Sequence, residues 1–144
     1  MIVLKGEVIH VLINLLQSLF KQTPSNVSVD IDCSDCLLRA QLCANGRRMA
    51  WIQCVKESDA VILIGDIQHS NGKIDYNKGY GSLLMDALLQ HAREKGFKKI
   101  HGNLSVVDLD HKDRLHHFYE KFGFTITEHL ELQVCYYGEI NMQL

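Results

Sequence analysis

The stretch "YNKGYGSLLMDALL", Tyr76 to Leu89, sets Gly79 and Gly81 two residues apart, immediately ahead of a run of good helix formers. Glycine inside a helix costs about 1 kcal/mol relative to alanine, and a tight turn would need only one. The first amides of a helix lack an intrahelical acceptor, and the helix dipole adds partial positive charge at that end. Glycines let a phosphate reach those amides without interference from Cβ. Lys78, Gly79, Tyr80, Gly81 and Ser82 therefore form a candidate cradle for a pyrophosphate. A Walker A loop does not fit, because it needs four residues between its glycines and a Gly-Lys-Ser/Thr ending. The dinucleotide-binding fingerprint would need a third glycine where Leu84 stands.

Two other groups carry reactive side chains. Cys33 and Cys36 in "CSDC" have the spacing of a redox or zinc motif. A thioredoxin-type pair sits at a helix N-terminus, whereas the flanks "VSVDIDC" and "CLLRAQLC" alternate as strands do. A zinc ribbon needs a second CxxC, and the sequence has none. The odd total of five cysteines fits reduced thiols better than a disulfide framework. His111, His116 and His117 lie close together but lack an acidic or cysteine partner at ligand spacing, so no metal site is expected.

The elements that would hold these groups follow from hydrophobic periodicity. Val8, Leu12, Leu15, Leu16 and Leu19 recur at helical spacing over residues 7–21, after a short strand "MIVL" and before the break "TPSN". That apolar run lacks the basic flank and cleavage site of a signal peptide and is too short and polar to span a bilayer, so a core helix is expected. The period then changes to two. "VSVDID" is one strand, and "CLLRAQLCA" and "MAWIQCV" flank the hairpin signal Asn45-Gly46. Ala60 to Gln68 is almost continuously apolar, as a strand covered on both faces would be, with Gly65 marking a bulge or a close backbone approach.

A polar loop, His69 to Gly81, leads to a helix running to about Lys95, with Leu83, Leu84, Ala87, Leu88 and His91 as its buried stripe and Gly96 as its stop. Lys98 to Val107 is a further strand. Asp108 or Asp110 is the expected cap of a helix whose stripe is Leu115, Phe118, Tyr119 and Phe122, ended by Gly123. Phe124 to Thr127 and Tyr136 to Leu144 close the chain as strands. The expected fold class is mixed α/β, of the α+β kind, as one domain over residues 1–144. The 144 residues, with 47% hydrophobic and 22% charged, suit one ordinary core, and a net charge of −2 offers no basic excess for nucleic acid.

"KGYGSLLMDALLQHAREKGFKKIHGNLSVVD…LHHFYEKFGF" resembles the GCN5-related N-acetyltransferase (GNAT) family, well over about residues 60–127 and by strand order alone in the N-terminal third. The resemblance implies the GNAT-like acyl-CoA N-acyltransferase fold, with a central mixed, mostly antiparallel sheet flanked by helices. It implies acetyl-CoA as cosubstrate, no metal, and direct attack by an amine in a ternary complex. Gly79 and Gly81 fall on the glycines of the family's pyrophosphate loop, with Tyr76 where glutamine or arginine is usual. Ile67, Gln68 and His69 fall where the family's central strand pairs with the pantetheine arm and splays from the next strand, between about Gly65–Gln68 and Asn103–Val106. Tyr119 takes the place of the family's general acid, in a second signature, "FYEKFGF". His69 is the expected base or water-wire residue, with Asp66 and Asp108 as alternatives. Lys112 replaces an asparagine that contacts the cofactor in many relatives, and Leu115 replaces an alanine.

The expected function is therefore that of a cytoplasmic N-acetyltransferase acting on a small-molecule or protein amine, without nucleic-acid or membrane partners. The alternative is a non-catalytic CoA-binding or interaction module on the same fold. With one N-terminal helix ahead of the sheet, the acceptor cleft is either open to a peptide or completed by a second chain in a homodimer. "LELQVCYYG" is a candidate acceptor wall, although Tyr136 and Tyr137 also suit packing within a strand.

Overall fold

A computed structural model describes residues 26–72, 78–133 and 135–144. The helix expected over residues 7–21, the strand before it, residues 23–25 of the break and Tyr76 lie outside the described residues.

The seven described strands are β1 (Val27–Cys33), β2 (Leu37–Ala44), β3 (Arg47–Lys56), β4 (Val61–His69), β5 (Lys99–Ser105), β6 (Thr125–Gln133) and β7 (Tyr136–Gln143). They form one sheet in the order β1-β2-β3-β4-β5-β7-β6. The helices are α1 (Tyr80–Glu94) and α2 (Lys112–Lys121), the latter preceded by a 3-10 helix over Val106–His111. β5 runs parallel to β4 and antiparallel to β7, and β6 is antiparallel to β7. This is the expected mixed α/β architecture, with a mostly antiparallel sheet flanked by helices.

The chain divides into two compact units. One takes in residues up to Asp32, Arg39–Ile52 and Ile67–Leu89. Its strands show the period of two directly: in β2, Ala40, Leu42 and Ala44 are buried while the residues between them are half exposed. Asn45 and Gly46 both take positive φ, 52° and 76°, as the two-residue hairpin between β2 and β3 requires. Tyr80, Leu83, Leu84, Met85, Leu88 and Leu89 are buried along the first part of α1.

The other unit takes in Cys33–Leu38, Gln53–Asp66 and Gln90–Leu144. Ile62, Ile64, Ile100, Leu104, Ile140 and Met142 supply its strand core. Val61 and Leu63 are only half buried, so β4 is less fully covered than its apolar run suggests. Gly65 marks a close backbone approach: a Cβ there would stand 3.0 Å from the Gln53 carbonyl oxygen. Both helices end the same way. Phe97 N–H reaches back to the Ala92 carbonyl at 2.9 Å, and Phe124 N–H to the Tyr119 carbonyl at 3.2 Å, each across a glycine with φ near +90°. The paired "GF" dipeptides are thus Schellman caps.

The expected Asp108 or Asp110 cap does not form. Ser105 caps the 3-10 helix instead, its hydroxyl accepting from Val107 N–H at 3.4 Å, and α2 begins at Lys112 after an N-cap His111 that makes no side-chain bond. Asp108 and Asp110 pair with His111 at 3.3 and 2.6 Å. A hydroxyl on the last residue of the strand reaches the first free amides sooner than a carboxylate further on. Of the stripe expected on α2, Tyr119 is buried and Leu115, Phe118 and Phe122 are half buried.

Candidate active site

Gly79 has φ +81°, a conformation that a residue with a Cβ adopts only with strain. It closes the turn into α1, and its carbonyl accepts the first intrahelical bond, from Leu83 N–H at 3.1 Å. The amides of Tyr80, Gly81 and Ser82 precede that bond, where a helix presents its donors to an anion. Tyr80 is 2% exposed and anchors the helix start in the core, so what this residue offers a ligand is its backbone. Lys78 and the half-buried Gly81 and Ser82 complete the turn.

On β4, pairing with β5 runs from Val61↔Lys99 to Ile64↔Gly102 and goes no further. β4 continues to His69 and β5 to Ser105, so the two parallel strands part at the place expected for the splay. Ile67 and His69 are half buried and Gln68 is exposed at the end of β4.

Tyr119 is 7% exposed near the C-terminal end of α2. The edges of Phe118 and Phe124 pack against its ring, with centroids 5.3 and 5.4 Å away. Burial pushes its phenol well above the usual tyrosine range, and the charges of Asp108 and Asp66 push the same way. The phenol therefore keeps its proton at neutral pH, the state a general acid needs. Asp66 lies just past the parting of β4 and β5, so the strand opening and the phenol belong to one electrostatic neighbourhood.

Lys112 is committed within the protein. It forms an ion pair with Glu128, and its ammonium lies 5.6 Å from the Tyr137 ring centre. The hydrogen bond from Lys112 holds the Glu128 carboxyl below its ordinary range. One feature is not evident in the sequence: His116 Nε2 lies 3.0 Å from Tyr137 Oη, with the rings stacked at 12° and 5.9 Å. The histidine cluster and the "YY" pair were its only signals, and neither pointed to the other.

Cys33 and Cys36 are exposed thiols at the β1–β2 turn, where Ser34 N–H donates to the Leu37 carbonyl at 2.9 Å. Among the described residues no three His, Cys, Asp or Glu side chains gather as metal ligands. Among them, too, no helix is long and apolar enough to cross a membrane.

Residues 76–124 match the acetyltransferase (GNAT) family. The uncharacterized protein YocC of Bacillus subtilis (strain 168) is 41% identical over 68 residues, which is 47% of this chain. The match takes in 38% of YocC, so this chain corresponds to well under half of that relative. A GNAT family acetyltransferase from Elizabethkingia anophelis, solved with acetyl-CoA bound, superposes with a TM-score of 0.64 at 14% identity, covering 83% of this chain and 99% of that one. The PaiA N-acetyltransferase of Thermoplasma acidophilum, solved with coenzyme A, gives 0.60 at 12% identity, covering 76% and 62%. At these identities the structural likeness is one of fold.

Proposed function

We propose that this chain, whose residues 76–124 match the acetyltransferase (GNAT) family, is an acetyl-CoA-dependent N-acetyltransferase. In this reading it works in the cytoplasm, by direct attack of a primary amine on the thioester. The observation that carries the reading is the parting of β4 from β5 after Ile64↔Gly102, within electrostatic reach of a buried, protonated phenol. Acetyl-CoA supplies the activated acyl group. The chain's own residues bind it, orient it and move protons.

The amides of Tyr80, Gly81 and Ser82, with Lys78 beside them, fit a diphosphate, because Gly79 turns the chain so that they open the helix. Ile67, Gln68 and His69 would hold the pantetheine arm through β4 backbone. Tyr119 would give its proton to the departing sulfur. A thiol ordinarily titrates near 8.5, but a thiolate formed beside the same apolar rings would be raised by desolvation too, which narrows its mismatch with a raised phenol. His69, Asp66 or Asp108 would serve the amine side.

The test is a thermal shift with acetyl-CoA. At a hundred times the dissociation constant a ligand adds about 2.7 kcal/mol, or about 5–10 °C for a chain of this size. Gly81→Asp should abolish the shift by setting a carboxylate against the diphosphate. The folded state should tolerate it, because an acid in the first turn of a helix complements the dipole. An undiminished shift in that variant would mean that the loop does not hold the nucleotide. Binding without transfer to any amine would favour a non-catalytic CoA-binding module.

A further inference from the structure

We propose that Tyr137 and His116 form the proton exit for the acceptor amine: the ammonium gives a proton to Tyr137 Oη as the phenolic proton passes to His116 Nε2. This rests on the acetyltransferase reading and puts the Tyr137–His116 pair in place of His69, Asp66 and Asp108 as the base.

The backbone places Tyr137 for such a role. Leu104 pairs with Gly138 and Ser105 with Tyr136, so β5 skips Tyr137. On the other side of β7, Glu128 pairs with Gly138 and Gln133 with Tyr136, so β6 skips it as well. A bulge of this kind re-aims a side chain that regular alternation would send elsewhere. The result is visible as two consecutive buried residues, Tyr137 and Gly138. Tyr137 is 4% exposed, and its neighbour Gly138 pairs with Leu104, beyond Gly102, the last β5 residue that pairs with β4. Tyr137 therefore lies beside the stretch of β5 from which β4 has parted.

The groups around His116 suit a proton acceptor. With the ring proton on Nδ1, Tyr137 Oη donates to Nε2 along the 3.0 Å contact. Glu128 Oε1 lies 3.8 Å from Nε2 and also pairs with Lys112 on the same helix. Burial first, then the charges of Glu128 and of Asp108 on the 3-10 helix, raise the Tyr137 phenol and disfavour a phenolate, so the proton passes through it in a concerted hop.

The step balances. The acceptor enters as an ammonium, and one proton moves through Tyr137 to His116. The neutral nitrogen then forms the C–N bond as the C–S bond breaks. The sulfur takes the Tyr119 proton, and the second nitrogen proton restores Tyr119. His116 releases the remaining proton to water, and the products are the amide and free CoA.

The experiment measures acetylated product by mass spectrometry, from pH 6 to 9, with acetyl-CoA and four probes: propylamine, spermidine, an Nα-blocked lysine and the tripeptide Ala-Gly-Gly. His116→Gln keeps a hydrogen-bond partner for Tyr137 but removes the titrating ring. It should lower kcat/KM about a hundredfold, within the usual range for general base catalysis, and erase the acid limb of the pH profile. Tyr137→Phe should do the same, and both variants should keep the thermal shift with acetyl-CoA. A His116→Gln profile that retains the acid limb, at any rate, would overturn the relay while leaving the transferase reading intact. A uniform loss at every pH, accompanied by a lowered melting temperature, would also overturn it by exposing a structural role. If the unaltered protein bound acetyl-CoA but acetylated none of the probes, the relay and the transferase reading would fall together.

Discussion

The Tyr119 carbonyl accepts the Phe124 N–H at 3.2 Å, and the two rings meet edge to face at 5.4 Å. The helix cap and the placement of the phenol are therefore one structure. The second bond of the cap runs from Gly123 N–H to the Glu120 carbonyl at 2.9 Å. Gly123 makes this possible at φ +94°. A Cβ there would meet the Met142 methyl at 3.7 Å, an ordinary contact, so any cost of a side chain lies in the backbone. Gly123→Ala should lower unfolding free energy by about 1–2 kcal/mol. Gly123→Asn should recover part of that loss, because asparagine tolerates the left-handed region. Urea melts of the two variants would check this, and equal losses would contradict it.

The thiols should separate by accessibility. Cys33, Cys36 and Cys135 are exposed, whereas Cys54 is fully buried in β3, and burial pushes its thiol up to about 12. The thiolate is the reactive form. A disulfide reagent applied to the native protein at pH 8 should label the three exposed cysteines promptly. Cys54 should resist until denaturant is added. Mass mapping of the labelled peptides reads the outcome, and rapid native labelling of Cys54 would contradict its placement.

The same burial predicts alkaline destabilisation. The unfolded Cys54 thiol loses its proton near its ordinary value of 9.0, whereas the folded one holds it to about 12. Between those values the native state binds the extra proton, so stability is intact below pH 9 and falls as pH rises through the window. The slope is about 1.4 kcal/mol per pH unit for one such group. Tyr119, whose phenol is also raised, adds a fall of the same sign above its ordinary value of 10.0. Cys54→Ala should flatten the curve from pH 9 to 10, measured by urea unfolding at each pH. An unchanged slope would assign the loss to other groups.

Much of the fold was legible because it repeats simple periods. Ala40, Leu42 and Ala44 alternate inward in β2, and Gly96-Phe97 and Gly123-Phe124 announce their helix ends. The glycine turn at Gly79 was legible for the same reason, whereas the opening of β4 was an expectation from the family resemblance, since it depends on β5, a strand distant in sequence. The pairing of His116 with Tyr137 was not. It joins residues 21 apart through a bulge that leaves no trace in a hydrophobic pattern, because the skipped residue is simply another tyrosine. The 3-10 helix after β5 was also missed. Asp108 and Asp110 look like caps in one dimension, yet His111 claims both carboxylates in three.

Removing the Tyr119 hydroxyl separates packing from chemistry. Tyr119→Phe keeps the ring that Phe118 and Phe124 pack against, and the backbone cap does not involve the hydroxyl. Its charged form is already disfavoured by burial and by Asp108 and Asp66, so the folded protein loses a neutral polar atom and no charge. Stability should therefore change by about 1 kcal/mol or less, the net worth of an ordinary hydrogen bond. Turnover should fall ten- to a thousandfold, around the range of a missing general acid. Binding of acetyl-CoA should hold, because the amides of Tyr80 to Ser82 are untouched. The comparison of turnover with melting temperature in this one variant is decisive for the acid: near-normal turnover would remove Tyr119 from that role, whatever its burial.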